Sequence, residues 1–113
     1  MANLPPGKLI RDGIPDLMRA GGIEPALLTL DRPLLILALR QKLLEETREL
    51  LESETPAKLL EETGDVLQVV EDIFRLHGYT LLQLLSQKEA KMMERGGFKE
   101  GIFLMDTSQR ENT

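Results

Sequence analysis

A single Thr-Pro step divides the most constrained stretch of this chain, LLEETRELLESETPAKLLEETGDVLQVVEDIF, residues 43–74. Proline has no amide hydrogen and is tolerated only in the first turn of a helix, so Thr55-Pro56 ends one helix and starts another, with Thr55 as N-cap. The first helix is expected over about 33–53, with Asp31 as N-cap and Pro33 in its first turn. Its apolar side is Ile36, Leu39, Leu43, Thr47 and Leu50, on a 3.6-residue repeat. The second is expected over about 56–77, with Val66, Val69, Val70, Ile73 and Phe74 as its apolar stripe and Gly78 as its stop. Two helices joined by so short a turn lie antiparallel. The stretch is expected to form a helical hairpin.

The remainder extends the helical reading. Residues 14–20 suit a short helix with Pro15 in its first turn, ended by Gly21-Gly22. Thr80-Leu-Leu-Gln83 matches a capping box and opens a fourth helix to about Glu94, broken by Gly96-Gly97. Residues 1–7 read as an irregular arm, 26–30 as a short apolar run, 101–105 as an apolar segment and 106–113 as a polar tail. Apolar residues make up 42% of the chain and aromatics 4%, without Trp. That Leu-rich, aromatic-poor mixture favours packed helices over a β-sandwich. The expectation is an all-α fold of about four helices in one domain over 1–113, with its core over about 8–104.

Composition also removes functions. The chain has no Cys, so a disulfide framework, a zinc-thiolate site and a thiol nucleophile are excluded. The longest unbroken apolar run, residues 34–39, is far too short to span a bilayer. With no signal-peptide pattern, the expected location is cytoplasmic, with no membrane partner. A net charge of −5 and a pI near 4.9 disfavour non-specific nucleic-acid binding. The sign is uneven along the chain. Lys8, Arg11 and Arg19 lie near one end, and Lys88, Lys91, Arg95 and Lys99 near the other, around an acidic centre. That pattern suits an anionic ligand that carries a metal.

Residues 43–74 hold ten carboxylates against Arg48 and Lys58, a local charge of −8. On a helical wheel with Leu43 at zero, Glu46 and Glu49 fall near ~300° and ~240°, at the edge of the apolar stripe, and Glu45 near ~200°. On the next helix, with Asp65 at zero, Glu61 and Glu62 flank it near ~320° and ~60°, and Asp72 lies near ~340°. A solvated acidic face should mix in Lys and Arg at i,i+4. Here Arg48 alone interrupts the acids of the first helix. An antiparallel pairing lets Glu46 and Glu49 face Glu62 and Asp65 across a narrow gap, where like charges repel and need compensation. Oxygen ligands at i,i+3 spacing suit a hard divalent cation, Mg²⁺ or Mn²⁺.

Glu45-Glu46-x-x-Glu49, a gap of twelve residues and Glu62-x-x-Asp65 resemble the signature of the all-α NTP pyrophosphohydrolases, the MazG-like proteins. These are relatives of phosphoribosyl-ATP pyrophosphohydrolase and of the dimeric dUTPases. The opening KLIRDGIP, residues 8–15, resembles the KLVRDKIP of a compact subgroup, with Gly13 where many relatives carry Lys. The segment ERGGFKEGIFL, residues 94–104, resembles that subgroup's closing segment.

The resemblance implies Mg²⁺-dependent hydrolysis of a nucleoside triphosphate between its α and β phosphates, giving a monophosphate and pyrophosphate, in a nucleotide-pool role. It implies Glu46, Glu49, Glu62 and Asp65 as metal ligands, with Glu45 as a further ligand or a supporting group. Glu46 is also the candidate base that orients water. Lys8, Arg11, Arg95 and Lys99 are candidate phosphate contacts, from their charge and their place in the terminal motifs. The resemblance and the Leu-rich surfaces imply a homodimer or homotetramer with a base pocket between subunits. Two alternatives stand beside this reading: phosphoribosyl-ATP pyrophosphohydrolase, and a non-catalytic helical module that binds a nucleotide or a protein partner. His77, at a helix C-terminus, needs no functional role. Tyr79 and Phe98 read as core or staple residues rather than base-stacking ones, and the Met residues as gap filling.

Overall fold

Four helices, α1 (Ile14–Ala20), α2 (Arg32–Leu51), α3 (Pro56–Leu76) and α4 (Leu81–Arg95), are the regular elements of the computed structural model, which describes residues 3–108. No strand occurs among the described residues, and none of their helices is long and apolar enough to cross a membrane. The last residues of the expected polar tail, 109–113, and the first two of the expected arm lie outside the described residues.

The expected N-caps of α2 and α3 form. Asp31 is extended, and its Oδ1 accepts from the Leu34 amide at 3.1 Å. Thr55 is extended, and its Oγ1 accepts from the Lys58 amide at 3.1 Å. Each satisfies one amide that the first turn would otherwise leave unpaired. α2 ends at Leu51, two residues earlier than its repeat suggests. The Ser53 hydroxyl donates to the Glu49 carbonyl at 3.1 Å, and the Ser53 amide to the Leu50 carbonyl at 3.2 Å, closing the helix with local bonds. Gly96 stops α4: with φ at +80°, where a Cβ is disfavoured, its amide donates to the Met92 carbonyl at 2.7 Å.

The described chain forms two compact units, Met1–Leu81 and Leu82–Thr113. In the first, α2 and α3 pack as the expected antiparallel hairpin. Its core is thin: Ala38, Leu39 and Val69 are the buried apolar residues among those described. The other stripe residues, Ile36, Leu43, Thr47 and Leu50 on α2 and Val66, Val70, Ile73 and Phe74 on α3, are half-buried. Tyr79 packs edge-on against Phe74, with ring centroids 5.9 Å apart at 70°. The hairpin also carries an unburied apolar set, Leu44, Leu51, Leu60 and Leu67.

The second unit holds most of α4 and the segment after it, and none of its described residues is buried. Phe98 is 100% exposed, so it is neither a core nor a staple residue of the single chain. Met92, Met93 and Met105 are exposed too and fill no gap. A helix and a tail that enclose no space of their own have no interior to offer them.

Candidate metal centre

The hairpin positions the acids through its own register. Five residues before α2 ends stands Glu46, and six after α3 starts stands Glu62, so the antiparallel crossing sets them opposite one another. Both side chains lie in the packed interface. Glu46 is 8% exposed and Glu62 6%, and they are the buried charged residues among those described. Glu49, one turn beyond Glu46, is exposed. One carboxylate oxygen from each of Glu46, Glu49 and Glu62 lies within 4.8 Å of the others.

Two lysines partly offset this charge. The Lys42 ammonium stands 3.5 Å from Glu46 Oε1 and 3.5 Å from Glu45 Oε2. Lys58 stands 3.6 Å from Glu62 Oε1 and 3.5 Å from Glu61 Oε2. Each pair is i,i+3 or i,i+4 along one helix. The sequence reading missed this pairing on α2, because Lys42 lies one residue before the acidic stretch. On α3 the signal, Lys58 four residues before Glu62, was in view.

The second oxygens, Glu46 Oε2 and Glu62 Oε2, are buried and accept no hydrogen bond. A buried acceptor without a partner costs free energy that a solvated one does not. The Glu49 carboxyl responds to the same crowding and is held above its ordinary range. Hydrogen bonding with Glu46 is the largest cause, followed by repulsion from the Glu46 charge, burial and the nearby Glu62. Three convergent carboxylate oxygens, two buried carboxylates with orphaned acceptors and an elevated proton affinity together fit a small divalent cation. The donor set is all oxygen, as Mg²⁺ and Mn²⁺ prefer.

The remaining expected site residues are placed as follows. Asp65 is not in the three-oxygen cluster. Its Oδ1 accepts from Arg11 Nη2 at 2.7 Å, an ion pair between residues 54 apart in sequence. Arg11 is therefore held on a carboxylate, where sequence reasoning expected a phosphate. Glu45 is also outside the cluster: it lies toward the solvent side of α2, exposed and facing Lys42. Lys8 is exposed on the N-terminal arm. Arg95 and Lys99 belong to the second unit. Arg95 ends α4, with its Nε 4.0 Å from Glu94 Oε1, and Lys99 is exposed beyond it. The His77 imidazole is committed to the backbone, its Nδ1–H donating to the Ile73 carbonyl at 2.8 Å.

A cleft of about 640 Å³ adjoins the cluster, between the N-terminal arm and the α2–α3 face. Leu35, Leu39 and Val69 contribute apolar wall, while Arg11, Lys42 and Asp65 bring charge to it. Glu46 lines the cleft as well. The space is thus apolar where the hairpin packs and ionic where the acids converge, a combination suited to a ligand with an apolar body and a charged end.

The chain matches no protein-family model, no curated protein and no solved structure.

Proposed function

We propose that the protein is a Mg²⁺-dependent nucleoside triphosphate pyrophosphohydrolase of the MazG-like kind, acting on (d)NTPs in nucleotide-pool cleaning. The observation that carries this reading is the convergence of Glu46 and Glu49 from α2 with Glu62 from α3, within 4.8 Å, around buried and unpartnered carboxylate oxygens. These three would hold the cation, with Mn²⁺ as a substitute, and the resemblance adds Asp65, one turn along α3 from Glu62. When bound, a divalent cation neutralises phosphate charge and orients the triphosphate.

The chain's own residues supply the rest. Glu46, in contact with Glu49 and Glu62 across the cluster, is assigned as the base that orients the attacking water and takes its proton. Water oxygen bonds to phosphorus, the P–O bond of the α–β bridge breaks, and the monophosphate and pyrophosphate separate. Lys8 and Arg11, in the same unit as the cluster, are assigned to the triphosphate. Arginine matches phosphate oxygens in a bidentate fork, which favours Arg11 for that task.

The working form is proposed to be a homodimer or homotetramer. Leu44 and Leu51 on α2, with Leu60 and Leu67 on α3, are exposed at 49–79%. A hairpin with three buried apolar residues is a poor core by itself, and a second copy would cover this set. The deciding experiment is product analysis of canonical and modified NTPs and dNTPs incubated with the protein in Mg²⁺ and in EDTA. Monophosphate plus pyrophosphate, formed only with Mg²⁺, is the expected result. Turnover of phosphoribosyl-ATP alone would transfer the reading to that enzyme. Binding without turnover of any substrate would leave a non-catalytic nucleotide module.

A further inference from the structure

Arg11 and Asp65 belong to different partners in the proposed reaction, yet they hold each other at 2.7 Å. Asp65 lies one turn beyond Glu62 on α3, and its side chain is 33% exposed. Arg11 comes from the irregular arm before α1. The other cations paired with the acids around the cluster, Lys42 and Lys58, are fixed on the same helices as the glutamates they meet. Arg11 is anchored on neither helix, so it can leave Asp65 without disturbing the hairpin. Both residues border the same cleft, beside Glu46.

We propose that Arg11 is a latch that stands in for the cation at Asp65 and is exchanged when a metal-bearing triphosphate enters. This inference rests on the three-glutamate site proposed above. The exchange conserves charge pairing. The Arg11–Asp65 pair breaks, the carboxylate turns to the cation, and the guanidinium turns to phosphate oxygens that it fits in a bidentate fork. Neither charge loses an opposite partner in the exchange. Cation alone or phosphate alone gains only half of the exchange, so each strengthens the binding of the other through Arg11. Arg11 is thus a positioning residue that ties Asp65's availability to the arrival of substrate.

The test is Mn²⁺ binding, measured by electron paramagnetic resonance and calorimetry, with and without an α,β-methylene triphosphate that is not cleaved. Wild type, Arg11→Ala, Asp65→Asn, the double variant and Glu49→Gln are compared. Arg11→Ala is expected to bind Mn²⁺ alone at least about fivefold more tightly, the low end of coupling between sites. In the same variant the analogue should strengthen Mn²⁺ binding less than in wild type. In the Asp65→Asn background the gain from Arg11→Ala should vanish. A gain that persists there would show a through-space charge effect and overturn the latch, as would equal Mn²⁺ affinity in wild type and Arg11→Ala. If Glu49→Gln weakens Mn²⁺ while Arg11→Ala changes nothing, only the latch fails. If Glu49→Gln has no effect, or no variant binds Mn²⁺, the three-glutamate site fails and the latch with it.

Discussion

Replacing Glu62 with Gln should make the metal-free protein more stable, the opposite of what most changes at a buried position do. The carboxylate is 6% exposed, with one oxygen near Lys58 and the other without a hydrogen-bond partner. Its cluster oxygen lies within 4.8 Å of that of Glu46. Two unit charges at that distance repel by about 3.5 kcal/mol at an effective dielectric near 20. Lys42 and Lys58 offset part of this, and Lys58 keeps Glu61 as a partner after the change. The Gln amide also adds a donor beside the Glu46 carboxylate, so a net gain of about 1–2 kcal/mol is expected. For a chain of this length that raises the melting temperature by about 4–8 °C. The assay is thermal unfolding by far-UV circular dichroism at one protein concentration, in EDTA and in excess Mn²⁺. Wild type should gain about 2.7 kcal/mol when the cation is at a hundred times its dissociation constant. The variant should gain little, so the two curves exchange order between the buffers. A variant less stable than wild type in EDTA would refute the reasoning: Glu62 would then be a net stabilising partner of Lys58 and not a member of a repelling set.

The elevated proton affinity of Glu49 gives a pH dependence with a definite sign. The folded state holds this proton more tightly than the unfolded chain, whose value is near 4.5, so the contribution is full below that value and is lost as pH rises through the folded value. Urea titrations of wild type in EDTA should show it, and Glu49→Gln should flatten that part of the profile. Leu39→Ala should destabilise by about 2–3 kcal/mol, the low end for Leu truncation, because the cleft beside it already admits solvent; the urea midpoint reads this. Thr55→Ala removes the cap of α3 and should cost about 1 kcal/mol by the same assay. Leu60→Lys should reduce the mass measured by sedimentation equilibrium toward that of one chain, if the exposed leucines meet a second copy.

Much of the hairpin was legible because its signals are local. Asp31, Pro33, Thr55 and Pro56 fix where α2 and α3 begin, and their capping bonds reach only three residues. The phases of Glu46 and Glu49 on one helix and Glu62 on the other followed from the same repeat that places Leu39 and Val69 in the core. Asp65 did not follow, since its partner lies 54 residues away and no periodicity links an irregular arm to a helix. The charge balance of the site was misjudged on α2 for a different reason. The i,i+4 relation of Lys42 to Glu46 is fully local, but it crosses the edge of the acidic stretch. Phe98 and the methionines show another limit. An apolar side chain states a preference for burial, while the surface that could satisfy it depends on packing elsewhere.

The turn between α2 and α3 spans only residues 52–55, and it has a kinetic consequence. All three convergent glutamates lie between Glu46 and Glu62, so the centre needs no distant segment to assemble. Short loops close quickly, and contacts near in sequence form early. The oxygen cluster can therefore come together before the segment after α3 has folded, and Arg11, earlier in the chain, is there to meet Asp65. A divalent cation bound at that stage would bridge the two helices as they zip. Metal supply would then bear on how fast the hairpin matures, separately from any effect on the finished protein.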